Sequence, residues 1–466
     1  MSSEKKNTAL TAGIGYTVGN ILIKGINILT LPIFSRLMTK EEFGVFNVFM
    51  SYDAILFVLV GLALHTSIRN ANLEFPGKID SYTSSITLIY LLMAAFFACL
   101  VLLFGETMAR ILGFEEKILY MLILFSTGSS LLLLYNTRIS LDYSYKKYLI
   151  VALINSVGNV AISLVMMLTV FRQDRAYGRI LGTTVVITLL ALCLLVAMYR
   201  KARPKIQGQY WRFGLRFSLP IVPHGVSQVL LAQFDRIMIR SMVSDAAAGI
   251  YSLAGNIRLI LTVITASITE AWSTWFYGQM ANDKRSLIRT RATQLCGLFT
   301  ILTVGLMAIS PEMVLILGGR AYDSAKYVAI PMILDSFILF LYDVIVTGEY
   351  YSKKTVYIML GTMAAAVLNI VLNYVFILRY GFLAAAYTTL FAYVCYLLLH
   401  LVLSRRLAGF CILPVRWLLV YSAIAGIMAA ASLLLVEQLL LRWGLCALVV
   451  IPMALLLLKD YKETQA

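Results

Sequence analysis

The chain has 466 residues, of which 61% are hydrophobic and 13% charged, with a formal net charge of +16. Its mean hydropathy is +0.85, whereas a water-soluble domain carries about 25% charged residues. So few charges cannot clothe a surface of this size in water. The composition excludes a soluble protein and predicts an all-α polytopic membrane protein, because runs of about 18 or more apolar residues recur along the whole chain.

About fourteen such spans are predicted. The first apolar stretch, 12–34, is too long for a signal-peptide core and lacks a small-residue cleavage site, so it is expected to stay as span 1. Lys24 falls at its centre and shares a helical face with Thr17, Asn20 and, less closely, Asn27. A charge at bilayer depth costs roughly 2.5–3.5 kcal/mol on insertion scales, so this stripe is expected to face protein or water. Gly15 and Gly19 form a GxxxG pair, ordinarily a packing device.

Span 2 (43–67) carries Asp53 midway and His65 near its end. Spans 3 to 6 follow at 82–104, 117–138, 148–171 and 178–199, with Asn155 and Asn159 of span 5 read as ties between helices. The most basic connection comes next, with Arg200, Lys201, Arg203, Lys205, Arg212 and Arg216. Span 7 (214–234) opens with Pro220 and Pro223, the second of which is expected to bend or loosen it.

Span 8 (246–272) carries Arg258 midway, with Tyr251, Thr262, Thr265 and Thr269 near the same face and Glu270 toward its end. Hydroxyls beside a guanidinium suit a phosphate or sugar surface. Spans 9 to 12 lie at 289–309, 326–347, 354–377 and 382–403; span 10 carries Asp335 and Asp343, and span 11 Asn369 and Asn373. Spans 13 (416–436) and 14 (443–458) complete the set.

Lysine and arginine concentrate at the N-terminus, in the even-numbered connections and at the C-terminus. By the positive-inside rule both termini face the cytoplasm. This explains most of the net charge, with an anionic lipid surface as its partner and no call for nucleic acid. The six cysteines form no CxxC pair and the three histidines no ligand cluster. No metal or other cofactor is therefore expected.

An internal repeat organises the chain. FSRLMTKEEFGVF (Phe34 to Phe46) matches IRSMVSDAAAGIY (Ile239 to Tyr251), aligning Gly44 with Gly249 and the helix caps Thr39 and Ser244. YSYKKY before span 5 matches YYSKKT before span 11, and Tyr177-Gly178 matches Tyr380-Gly381. The three matches occur in order at a nearly constant offset of roughly 205 residues. The repeat unit holds six spans, so the copies are parallel. The expected domains are an N-terminal six-helix lobe (1–200), a basic cytoplasmic linker (201–211), a second six-helix lobe (212–404) and two extra helices (405–466), with a central site enclosed by the copies.

Asp53 lies nine residues beyond Gly44, and Arg258 nine beyond Gly249, so the two occupy equivalent places. The same offset sets His65 against Glu270. Lys24, Arg258, Asn20, Thr262 and Thr265 are the candidate substrate-binding residues. Asp53, Glu270, His65, Asp335 and Asp343 are candidates for gating or ion coupling. Each also has a plain reading: structural pairing for Lys24, Arg258 and Asp53, and ordinary solvation near the interface for Glu270 and His65.

NILTLPIFSRLMTKEEFGVFNVF, QFDRIMI with GIYSLAGNIR, and LNIVLNYVFILRYGFLAAAYTT resemble the bacterial polysaccharide exporters, the O-antigen, capsule and exopolysaccharide repeat-unit flippases of the multidrug/oligosaccharidyl-lipid/polysaccharide superfamily. That resemblance covers essentially the whole chain. It implies two six-helix lobes around a cationic cavity and delivery of undecaprenyl-diphosphate-linked oligosaccharide to the outer leaflet of the bacterial cytoplasmic membrane by ion-coupled alternating access. It further implies that Lys24 and Arg258 hold the diphosphate, and that lipids and the polysaccharide assembly machinery are partners. Asp53 departs from a purely cationic cavity. The rival readings are a lipid II flippase, a cation-coupled multidrug exporter, whose cargo Lys24 and Arg258 would repel, and a polysaccharide polymerase or glycosyltransferase. The last lacks a substantial loop and any phosphate-binding glycine motif.

Overall fold

The structure is a computed structural model that describes Gly15, Gly19, Gly25, Ile26 and residues 28–463. Among these residues twelve helices are long and apolar enough to cross a membrane. Two expected spans are not in that set. Span 1 is described only in part, as α1 (Ile28–Leu37). Span 7 is divided between a short amphipathic helix, α8 (Gly208–Ser218), a 3-10 turn (Leu219–Ile221) and α9 (Val222–Met242). The prolines explain the division: Pro220 lies in the 3-10 turn and Pro223 in the first turn of α9, where a missing N–H leaves no helical bond unmade.

The chain forms two compact units, Met1–Ile237 and Met238–Ala466. Besides those just named, the first contains α2 (Lys40–Gly61), α3 (Ile68–Glu74), α4 (Ile79–Leu112), α5 (Glu116–Ser140), α6 (Tyr145–Leu168) and α7 (Arg175–Lys201). Here α5 is the central helix, packed on α2, α4 and α7. The second contains α10 (Asp245–Ala281), α11 (Arg285–Gly318), α12 (Ala325–Tyr351), α13 (Thr355–Tyr380), α14 (Leu383–Ala408), α15 (Val415–Leu434) and α16 (Leu439–Glu463). In it α12 is central: 83% of its apolar window is buried, against α10, α11, α14 and α15. Only 6% of the α16 window is buried, so that helix is apolar on account of lipid rather than protein.

Helix lengths repeat as the sequence predicts. The pairs α4 and α11 (34 residues each), α5 and α12 (25 and 27), α6 and α13 (24 and 26), and α7 and α14 (27 and 26) correspond in order. Their caps correspond too. Thr39 opens α2 with a capping box, accepting from the Glu42 N–H at 3.2 Å while Glu42 accepts from the Thr39 N–H at 2.8 Å. Ser244 opens α10 by accepting from the Ala247 N–H at 3.1 Å.

The turn before α6 has Tyr143 at φ 53° and the turn before α13 has Lys353 at φ 57°, each followed by a 3.3 Å closing bond, Ser144 N–H to Ile139 and Lys354 N–H to Glu349. These turns superpose 353 on 143, an offset of 210, so the paired-lysine match in the sequence is displaced by three residues from the structural register.

Two features depart from the predicted plan. Span 2 is not one helix: α2 stops where Leu62 and Ala63 turn left-handed (φ 44° and 52°), and a 3-10 turn, Leu64–Ser67, leads to α3. Its counterpart α10 runs unbroken for 37 residues. The unit boundary also falls within α9, beyond the basic stretch 201–211 expected as linker. The reason is aromatic burial. Tyr210 lies 4.8 Å from Phe75 and 5.5 Å from Tyr82 (ring centroids), Trp211 Nε1 donates to the Ser85 carbonyl at 3.1 Å, and Ser85 Oγ donates to the Lys205 carbonyl at 2.6 Å. These contacts bind α8 to the first unit.

Candidate functional site

Thirteen residues into α10, counting from Asp245, stands Arg258; ten residues into α12, counting from Ala325, stands Asp335. The structure brings them together. Arg258 Nη1 donates to Asp335 Oδ2 at 3.0 Å and Oδ1 at 3.2 Å, with the carboxylate 1% and the guanidinium side chain 17% exposed. Ser336 Oγ also donates to Asp335 Oδ1, at 3.3 Å. Removing two charges from water costs several kcal/mol per ion, and their mutual attraction repays it only with good geometry. The sequence assigns Arg258 to binding and Asp335 to coupling, whereas the structure joins them in one buried pair.

The first unit holds the corresponding arrangement with other chemistry. Asp53 is thirteen residues into α2 from Lys40, and Ser126 is ten residues into α5 from Glu116. Ser126 Oγ donates to Asp53 Oδ1 at 2.6 Å, and both side chains are buried. Equivalent positions thus carry a carboxylate with a hydroxyl in one copy and a guanidinium with a carboxylate in the other. Ser126 escaped the sequence reading because a serine in an apolar run carries no signal of its own. The sequence offsets of 203 to 207 set Asp335 against residues 128–132, so the repeat as read in the sequence does not point to Ser126 either.

The other candidates are more dispersed. Lys24 and Asn20 lie outside the described residues, as do Thr17 and Asn27. One turn beyond Arg258, Thr262 is exposed, its Oγ1 3.5 Å from the Arg258 carbonyl; Thr265 is buried. Glu270 is exposed in the unbroken α10, whereas His65 is half-buried in the 3-10 turn that interrupts the first copy. Their shared sequence offset therefore does not give them a shared local structure. Asp343 is half-buried, two turns beyond Asp335 on α12. No group of three or more His, Cys, Asp or Glu side chains suited to a metal ion occurs among the described residues.

Asn369 and Asn373 tie α13 to α14 as expected. Asn369 Nδ2 donates to Thr389 Oγ1 at 2.8 Å, Asn373 Nδ2 donates to Asn369 Oδ1 at 3.2 Å, and Thr388 donates to Asn373. Within lipid such buried polar ties replace the hydrophobic drive that packs helices in water.

Comparison with known proteins places this architecture. The fold matches that of a lipid II flippase MurJ in an inward closed conformation, at a TM-score of 0.77 and 14% identity, covering 96% of this chain and 99% of that one. It also matches an inward-facing multidrug resistance MATE family transporter of the MOP superfamily, at a TM-score of 0.65 and 12% identity, over 85% of this chain and 98% of that one. In sequence, an Lsg locus protein of Haemophilus influenzae is 24% identical over 354 residues, 73% of this chain and 84% of that protein. The succinoglycan biosynthesis transport protein ExoT of Rhizobium meliloti is 24% identical over 327 residues, 65% of this chain and 60% of its own. The family model for polysaccharide biosynthesis proteins matches residues 10–278, more than half of the sequence. The chain therefore belongs to the polysaccharide biosynthesis protein family, and it is a multi-pass membrane protein.

Proposed function

We propose that this protein is a flippase that carries an undecaprenyl-diphosphate-linked oligosaccharide from the cytoplasmic to the outer leaflet of a bacterial cytoplasmic membrane, its termini on the cytoplasmic side. The observation that carries the reading is the Arg258–Asp335 pair midway along two membrane-spanning helices. A diphosphate head cannot enter hydrocarbon without compensating charge, whereas its polyprenyl tail can stay in the bilayer. A guanidinium held by an internal carboxylate offers that compensation on demand: the anionic head replaces Asp335 as its partner, with phosphate geometry that arginine suits well. Lys24, midway along span 1, supplies a second cation. The cycle exposes the site to one side of the membrane and then the other, driven by an ion gradient, with Asp335, once released, and Asp53 as acidic groups available to it. Family membership and the transport protein ExoT among its relatives support the cargo class.

Cells lacking the protein are expected to accumulate lipid-linked repeat units in the cytoplasmic leaflet. An unchanged distribution between leaflets would overturn the proposal. The lipid II flippase reading draws on the fold match with MurJ. It predicts instead that the chain restores growth to cells depleted of their own lipid II flippase.

A further inference from the structure

The most deeply buried acid and base in the second unit lie away from Arg258. Glu349, near the end of α12, and His400 of α14 are both 0% exposed, with His400 Nδ1 and Glu349 Oε1 2.8 Å apart. Glu349 Oε2 and His400 Nε2 have no hydrogen-bond partner among the described residues. The ring is tightly held. Tyr342 and Tyr396 meet it edge-on at 5.1 and 4.7 Å, and a Cβ on Gly361 of α13 would lie 2.3 Å from Nε2. Tyr396 Oη donates to Tyr342 Oη at 2.6 Å and lies 2.8 Å from Thr362 Oγ1.

The first copy of the repeat shows that the fold does not need this pair. The turn that places Glu349 has Ile139 at the same position, buried at 3% exposure, by the matching closing bonds to Ser144 and Lys354. Offsets of 203 to 207 set His400 against residues 193–197, the stretch CLLVA. The first copy therefore carries no ionisable pair at the corresponding positions, while the second buries an acid and an imidazole. Burying such a pair is on balance neutral or costly relative to apolar groups of similar volume. Stability alone does not account for it.

We propose that Glu349 and His400 form a proton-binding site, holding one exchangeable proton on the axis between Oε1 and Nδ1. In the loaded state the imidazole carries protons on both nitrogens and faces the carboxylate, with no net charge. In the unloaded state one proton has passed to water, leaving a neutral imidazole, a carboxylate and a net charge of −1. Hydrocarbon opposes that charge, so the unloaded state favours any conformation that admits water. Glu349 lies two residues from the end of α12, beside the charged turn that holds Lys353 and Lys354. The other titratable groups around the pair are Tyr342 on its own helix and Tyr396 on α14. Tyr350 also interacts electrostatically with Asp343 and with Tyr277 of α10. The α13 face contributes Gly361 and Thr362, which carry no charge. The site deepens the ion-driven reading by naming the proton, and it depends on that reading only for what the proton drives.

The chain has three histidines, so His65→Gln with His224→Gln leaves His400 alone. The test is 15N imidazole NMR of that variant in lipid nanodiscs, without any lipid-linked sugar, between about pH 5 and pH 9, the range in which imidazole chemistry operates. The expected result is conversion of His400 from the doubly protonated to the neutral form within the range. Adding Glu349→Asp should preserve the conversion, and adding Glu349→Gln should leave the ring neutral throughout. A ring that keeps one form across the range with Glu349 intact, or that converts identically with Glu349→Gln, would overturn the proposal whether or not the protein moves a lipid.

Discussion

Arg258 and Asp335 stand 3.0 Å apart at a place where the other copy of the repeat sets Asp53 against Ser126 at 2.6 Å. The first helical position therefore carries opposite charge in the two copies, Asp53 against Arg258, while the second carries a neutral hydroxyl in one and a carboxylate in the other. A carboxylate held by a hydroxyl is a stable buried acceptor. A guanidinium held by a carboxylate is a cation with a replaceable partner.

Truncation should expose that difference. Arg258→Ala takes the guanidinium away from a buried carboxylate and should destabilise by about 3–5 kcal/mol. Arg258→Ala with Asp335→Ala removes both charges and should recover most of the loss. Thermal unfolding in detergent gives the comparison. A double variant no more stable than the single one would mean that Asp335 has another partner of equal weight. If the proposed role holds, the stable double variant remains inactive in polysaccharide export.

On the Asp53 side, Ser126→Ala removes the hydroxyl that Asp53 accepts from and should cost about 1–3 kcal/mol. Asp53→Asn keeps an acceptor in place, so it should be milder in stability. If the negative charge itself is used in the cycle, Asp53→Asn lowers surface polysaccharide at equal protein level while Ser126→Ala does so only through abundance. Equal polysaccharide per molecule in Asp53→Asn would remove Asp53 from the cycle.

The break after α2 makes a prediction of opposite signs in the two copies. Ala63 sits at φ 52°, where an L residue pays roughly 1–2 kcal/mol relative to the right-handed region. Ala63→Gly should raise the melting temperature or leave it unchanged. The position 205 residues on, Ile268, lies within the unbroken α10, where glycine should destabilise by up to about 1 kcal/mol, apart from any loss of side-chain packing. Destabilisation by both would show that the break is not a backbone property of the first copy.

Much of the fold was legible in the residues. Long apolar runs gave the spans, and Thr39 and Ser244 gave the starts of α2 and α10, because caps and bilayer length are local properties. The break at Leu62 and Ala63 was not legible: neither residue is glycine, and a left-handed turn at such positions is imposed by surrounding packing. The boundary within α9 was hidden for a similar reason. The basic charges around 200–212 suggest a free linker, but Tyr210, Trp211 and Phe213 among them pack onto Phe75 and Ser85. At the site, each ionisable residue was visible singly as an anomaly in an apolar run. Their pairing was not, since it depends on the rotation of α12 against α10 and on a helix register that the sequence matches miss by a few residues.

The central claim is that Arg258 exchanges Asp335 for an anionic lipid head. Binding of undecaprenyl diphosphate to the purified protein in nanodiscs tests it directly. Asp335→Asn removes the internal competitor and should tighten binding by about tenfold, equivalent to 1.4 kcal/mol. Adding Arg258→Gln to that variant should abolish the gain and weaken binding below that of the unaltered protein. Unchanged affinity in Asp335→Asn, or undiminished affinity once Arg258→Gln is added, would contradict the account.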